Sequence, residues 1–146
     1  CHPDALIQYD FIASRDTPVA INPGWTRYQK LSYSPAVRAG KMLFMSGQGS
    51  LDPETERIVH DGDVVAQAEY TYGNILKVLN AAGAGPGNLV KTIEYVTPAG
   101  LARYREVASV RSRLLSQPFP ASTGLICEAL LRPEMQIEID PLAVLD

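Results

Sequence analysis

The stretch between Asp63 and Gly83 constrains the fold most. Val64, Val65, Ala68, Tyr72, Ile75, Leu76 and Leu79 recur there at helical spacing, so one face of a helix is apolar. Asp63 is a capping residue at its start, and Gly83 ends the run as a C-terminal cap. Gly73, inside the helix, costs about 1 kcal/mol relative to alanine, so a close neighbour is expected against it. Directly after the loop "GAGPG" comes "NLVKTIEYVT", β-branched and aromatic-rich, the best strand in the chain.

The remaining elements arrange themselves around this helix and strand. "PAVRAG" and "KMLFMSGQ" read as two short strands joined at Ala39-Gly40, a hairpin-type turn. "LDPETERIVHDGD" is a polar, turn-rich connection. Thr97-Pro98 supplies a cap and a first-turn proline for a second helix running to about Leu115, with Leu101, Tyr104, Ala108 and Leu115 inward. "SQPFP" breaks that helix, and "STGLICEALL" and "MQIEIDPLAVL" complete the chain as strands. Ile137 and Ile139 alternate with Glu138 and Asp140, which gives the last strand one apolar and one acidic face. The order predicts an α+β domain, a mixed sheet with two helices packed on one face. The other sheet face is partly apolar, and oligomerisation is the simplest way to cover it. Residues 1–31 read as an N-terminal extension packed across a domain of residues 32–146, with Trp25 as anchor.

Composition narrows the function classes. At 146 residues one domain with a conventional core is expected. A net charge of −3 without a lysine-arginine run argues against a nucleic-acid footprint. No apolar run approaches the ~20 residues that span a bilayer, and no signal pattern opens the chain, so a cytoplasmic protein without membrane contact is expected. Cys1 and Cys127 make no disulfide framework; Cys1 is at a terminus, where disorder is common, and Cys127 reads as a buried small hydrophobe. His2 and His60 lack ligand neighbours, so no metal site is expected. "FMSGQGS" has no lysine after it and is a strand ending in a turn, not a phosphate loop.

Four segments, "YSPAVRAGKMLFMSGQGSLDPET", "NILKVLNAAGAG" leading into "LVKTIEYV", "FPASTG" and "LLRPEMQIEIDPLAV", resemble the Rid (YjgF) family of enamine and imine deaminases. They span roughly Leu31 to Leu145. The resemblance implies a chorismate-mutase-like fold, a homotrimer whose sheets form a central barrel, and active sites in the clefts between subunits. It implies hydrolysis of a small enamine or imine to a carbonyl compound and ammonia, with no metal or organic cofactor. Tyr33 matches the family's pocket tyrosine, Ser46 and Gly47 its serine-glycine pair, and Glu138 the glutamate that positions water.

One position departs from the pattern. Ser122 stands in "FPASTG" where the deaminases carry an arginine that forks onto the substrate carboxylate. Serine offers one neutral hydrogen bond in place of two charged ones. Two residues are candidates for compensation. Glu94 is an acid among apolar neighbours in the strongest strand, paired with Glu138 in the site or else bound in a structural ion pair with Lys91 or an arginine of a neighbouring subunit. Arg105, in "RYREV", is either a pocket cation or part of a solvated helix face. An acid pair with a displaced cation suits an aminomuconate-type acid. The alternative is a non-catalytic trimer that binds a small metabolite; ribonuclease activity, assigned to some relatives, fits the acidic charge least.

Overall fold

The computed structural model describes Asp4 and residues 10–146, so the expectations for Cys1 and His2 lie outside the described residues. The helix expected after Asp63 forms as α1, Val64–Ala81. Asp63 Oδ1 accepts from the amides of Val65 and Ala66 at 3.1 and 3.2 Å, satisfying two donors that a helix start leaves over. At the far end Gly83 adopts φ +75°. The Ala84 amide then reaches the Leu79 carbonyl at 2.9 Å and the Gly83 amide reaches Asn80 at 3.0 Å. Val64, Ala68, Tyr72, Ile75, Val78 and Leu79 are buried along one stripe. Gly73 differs from expectation: a Cβ there would meet nothing within 4 Å, so no close neighbour requires it.

The strands are β1 (Val19–Ile21), β2 (Ala36–Ala39), β3 (Met42–Met45), β4 (Gln48–Gly49), β5 (Leu89–Val96), β6 (Ala121–Ile126) and β7 (Ile137–Val144). They form one sheet in the order β1-β2-β3-β7-β5-β6, with β4 on β7 as well. Only β5 and β6 run parallel. The mixed α+β sheet expected from the sequence is therefore present. Two short strands, β1 and β4, were not expected; β1 belongs to the lead segment and extends the sheet beside β2. Trp25 is buried in the core, as expected of an anchor.

β3 and β4 share one edge of β7. Phe44 faces Leu142 and Gln48 faces Ile139, so three residues, Met45 to Gly47, stand against Asp140 and Pro141. This bulge falls beside Pro141, which has no amide hydrogen to give to a ladder. It turns Ser46 and Gly47 out of regular pairing at the level of Glu138 and Asp140.

The second helix is not continuous. It forms a single turn, α2 (Pro98–Leu101), then a 3-10 turn at Tyr104–Glu106, then α3 (Val107–Leu114). Arg103 sits at the break with φ −113° and ψ 5°, its guanidinium bridging Asp63 at 3.0 Å and Glu106 at 2.9 Å. The break resets the helical phase. Val107, Val110 and Leu115 are buried, whereas Leu101 and Ala108, expected inward, are exposed. Cys127, expected buried, is only half-buried, because it follows the exposed edge strand β6.

α1 and α3 lie on one face of the sheet. Thr92, Glu94 and Val96 of β5, with Ile137, Ile139 and Ala143 of β7, are buried under them. Ile93 and Tyr95, with Glu138 and Asp140, point the other way and are half-buried.

Candidate active site

A cavity of about 210 Å³ opens where β4, the start of β7 and the segment around Trp25 meet. Tyr33, Gly47 and Glu138 line it, together with Arg27, Tyr28, Gln48, Asn74, Arg132 and Met135. An aromatic series sets its rim. Trp25 stacks on Tyr28 with ring centres 5.8 Å apart, and Tyr28 meets Tyr33 edge-on at 5.6 Å. Trp25 is anchored in turn by Asn22, whose side-chain oxygen accepts from its amide at 2.8 Å.

The floor is set from α1. Buried Gln67 donates to the Glu134 carbonyl at 2.8 Å and accepts from the Gln136 amide at 2.8 Å. One amide thereby fixes the backbone that delivers both Arg132 and Glu138. Gly49 completes the fit, since a Cβ there would run into Met135 Cε. Gly47 is the closest approach to the acid: a Cβ on it would lie 2.6 Å from Glu138 Oε1.

Glu138 is half-buried, and among the described residues no donor is hydrogen-bonded to it. Burial pushes its carboxyl above the usual carboxylate range, and the nearby Asp140 pushes it further. Burial raises Asp140 as well. A carboxyl group tuned upward and left without a partner is suited to exchanging protons with a water or substrate.

The other sequence candidates fall elsewhere. Ser46 adjoins Gly47, but its hydroxyl donates to the Ser34 carbonyl at 2.7 Å and holds the loop that carries Tyr33. Glu94 is fully buried on the helix-covered face, opposite in direction to Glu138. Its carboxylate accepts from Tyr72 and Tyr104 at 2.5 Å each and from Arg111 at 2.6 Å. The acid pair of Glu94 and Glu138 does not form within the chain, and the ion pair involves Arg111 rather than Lys91. Lys91 instead donates to Thr123 Oγ1 at 2.6 Å. Burial opposes the charge on Arg111, but Glu94 outweighs it and its pKa is raised; Tyr72 is raised by burial and by the same carboxylate. Arg105 is exposed and forms no ion pair with either acid within the chain. Ser122 is exposed on β6, opposite Thr92, and borders a separate cavity with Arg111, Ser112 and Phe119.

Sequence reading missed Arg27, Tyr28, Arg132 and Arg111. Arg27 and Tyr28 stand in "WTRYQK", where only Trp25 was singled out. Arg111 shares a helical face with Val107, Val110 and Leu114, a signal visible only once the phase restarts after Arg103.

One mixed sheet with helices on one face and an acid-bearing cleft beside a strand bulge define an α+β protein. The chain belongs to the family described as Endoribonuclease L-PSP, whose model matches residues 27–145; the Rid (YjgF) proteins are of this family. It is 38% identical to the protein DfrA of Myxococcus xanthus over 91% of this chain and 93% of that one. It is 31% identical to the 2-iminobutanoate/2-iminopropanoate deaminase of Mus musculus, over 91% of this chain and 89% of that one. The crystal structure of RidA from an Antarctic Psychrobacter species superposes with a TM-score of 0.71 at 30% identity, over 79% of this chain and 89% of that one. Among the described residues, no helix is long and apolar enough to cross a membrane.

Proposed function

We propose that this chain is a hydrolytic deaminase of a small imine or enamine, with Glu138 as the group that handles protons. Glu138 accepts a proton from water as the oxygen bonds to the C=N carbon. The same carboxyl returns that proton to nitrogen, giving a carbinolamine; it then takes the hydroxyl proton and passes it to the amino nitrogen as the C–N bond breaks, so that ammonia departs and a carbonyl compound remains. An enamine enters the same path after protonation of its carbon. Tyr33 and the backbone at Gly47 face the substrate from the rim. The observation that carries this reading is an unpartnered, upward-shifted carboxyl pressed against a glycine in a small cleft. The deaminase name of the mouse relative supports it.

The family model's description names an endoribonuclease, but a net charge of −3 and a cavity of about 210 Å³ suit a small molecule better than RNA. Assembly as a homotrimer with sites between subunits fits the apolar residues left exposed at the β6 edge, Leu125 and Ile126 at 46% and 65%. In such an assembly Ser122 would face a neighbour's cleft, not its own. The second reading, a metabolite-binding trimer without turnover, is favoured by the exposed serine at that edge.

Ammonia release from freshly generated 2-imino acids and an aminomuconate-type diacid tests the proposal. Wild type is expected to exceed spontaneous hydrolysis, and Glu138→Gln to lose about 10²–10⁴-fold in kcat. A wild-type rate no faster than the uncatalysed one leaves the binding protein as the better reading.

A further inference from the structure

The cleft that holds Glu138 is also lined by two arginines that form no ion pair among the described residues. Arg103, Arg111 and Arg113 each pair with a carboxylate. Arg27 and Arg132 do not, among the described residues, and both line the cleft. Arg27 projects from the 3-10 turn Thr26–Lys30, with its guanidinium carbon 5.2 Å from the centre of the Tyr28 ring. Its Nε is buried and has no hydrogen-bond partner. A buried donor without an acceptor is costly, and the Nε edge of a guanidinium is one that a carboxylate engages through two parallel bonds. Arg132 enters from the β6–β7 connection, whose backbone Gln67 fixes two residues further on.

We infer that Arg27 and Arg132 form the anion clamp of this cleft, their guanidinium groups seating the carboxylate of a small oxo or imino acid beside Glu138. The inference rests on the deaminase reading for the fate of that acid, but not for its binding. Arg27 supplies the fork, held over Tyr28 by cation–π contact. Arg132, exposed and unpaired, adds charge from the other wall. Ser122 lies on the far edge of the same sheet and leaves the anion to these two residues within the chain. The glutamate opposite gives the clamp its selectivity: the acid's C=N or C=O end turns toward a carboxyl that can be protonated, and its carboxylate turns away toward the cations.

Calorimetric titration with 2-oxobutanoate, the keto acid left by deamination of 2-iminobutanoate, tests the clamp without turnover. Wild type is expected to bind, more weakly as salt rises. Arg27→Gln should weaken binding at least tenfold, Arg27→Lys should restore only part, and Arg132→Gln should weaken it several-fold. Circular dichroism establishes that each variant is folded; Arg132 is exposed and forms no side-chain pair, so its variant tests the clamp even if Arg27→Gln misfolds. Absence of wild-type binding overturns the inference, as does binding within twofold of wild type in Arg132→Gln or in a folded Arg27→Gln. If keto-acid binding depends on the arginines while no imine is turned over, the deaminase reading fails and the clamp stands.

Discussion

Glu94 and Glu138 are near neighbours on adjacent strands, with Glu94 opposite Ile139 and Tyr95 opposite Glu138, yet they have opposite surroundings. One residue's difference in phase puts them on opposite faces of the sheet. Under the helices, Glu94 is 0% exposed and receives two tyrosine hydroxyls and a guanidinium. On the other face Glu138 is half-buried, accepts no hydrogen bond among the described residues, and is raised by burial and by the like charge of Asp140. Depth of burial alone would select Glu94 as the functional acid. What separates the two is whether the fold has supplied donors: a fully bonded carboxylate has little left to offer a substrate, whereas an unbonded one keeps both oxygens free to accept a hydrogen bond or a proton.

Stability measurements should separate the two acids most widely. Glu94→Ala strands the Arg111 charge and two tyrosine hydroxyls, and is expected to cost about 3–5 kcal/mol. For a chain of this size that lowers the melting temperature by roughly 10 °C or more. Glu138→Gln should do the reverse near pH 8. The folded pKa of Glu138 is raised, so its ionisation costs stability as pH rises through that value, and the amide avoids the cost. Below pH 4 both forms of the chain carry a neutral side chain there and their melting temperatures should converge. Equal losses in the two variants would erase the distinction.

The fold was legible because its signals are local. Helical spacing from Val64 to Leu79, the cap at Asp63, the glycine at Gly83 and the alternation in Ile137–Asp140 each depend on residues close in sequence. Tyr33, Gly47 and Glu138 were legible as a set through the resemblance, and the structure brings them to one cleft. Glu94 misled because a mid-strand acid signals only that it needs partners. Two of its three donors, Tyr104 and Arg111, lie beyond the break at Arg103, where extending one helix from Thr97 put the wrong side chains inward. Arg27 and Arg132 are 105 residues apart in number, and only the sheet's order brings them to the same cavity.

A second variant probes the cleft side alone. In Gly47→Ala the added methyl would fall 2.6 Å from Glu138 Oε1 and 3.4 Å from its Cδ, so the carboxylate has to move. The far end of a side chain moves at little cost, and stability should stay within about 1 kcal/mol of wild type. Displacing the proton-handling oxygen should nonetheless lower kcat by roughly 10–100-fold in the ammonia assay. A variant with wild-type turnover would show that the position of Glu138 relative to Gly47 does not matter, and the contrast with Glu94 would then rest on hydrogen bonding alone.

The smallest expected effect isolates Asp140. In the proposed reaction Glu138 must be ionised to take a proton from water, so activity falls on the acid side as pH drops through its pKa. That limb should lie above 4.5, the ordinary value for a glutamate, because burial and Asp140 both raise it. Asp140→Asn removes one like charge from the same face while keeping the side chain's size. The acid limb of kcat/KM should therefore move to lower pH, by less than about one unit, without returning to 4.5, since the burial that contributes most is unchanged. Salt should narrow the gap between variant and wild type, because Asp140 is only half-buried and acts through a partly solvated path. Glu128→Gln, which removes an exposed acid after β6, serves as the control and should leave the limb in place. An unmoved limb in Asp140→Asn would mean that Glu138 is tuned by burial alone; a limb moved equally by Glu128→Gln would mean that overall charge, and not the acidic face of β7, sets the pH profile.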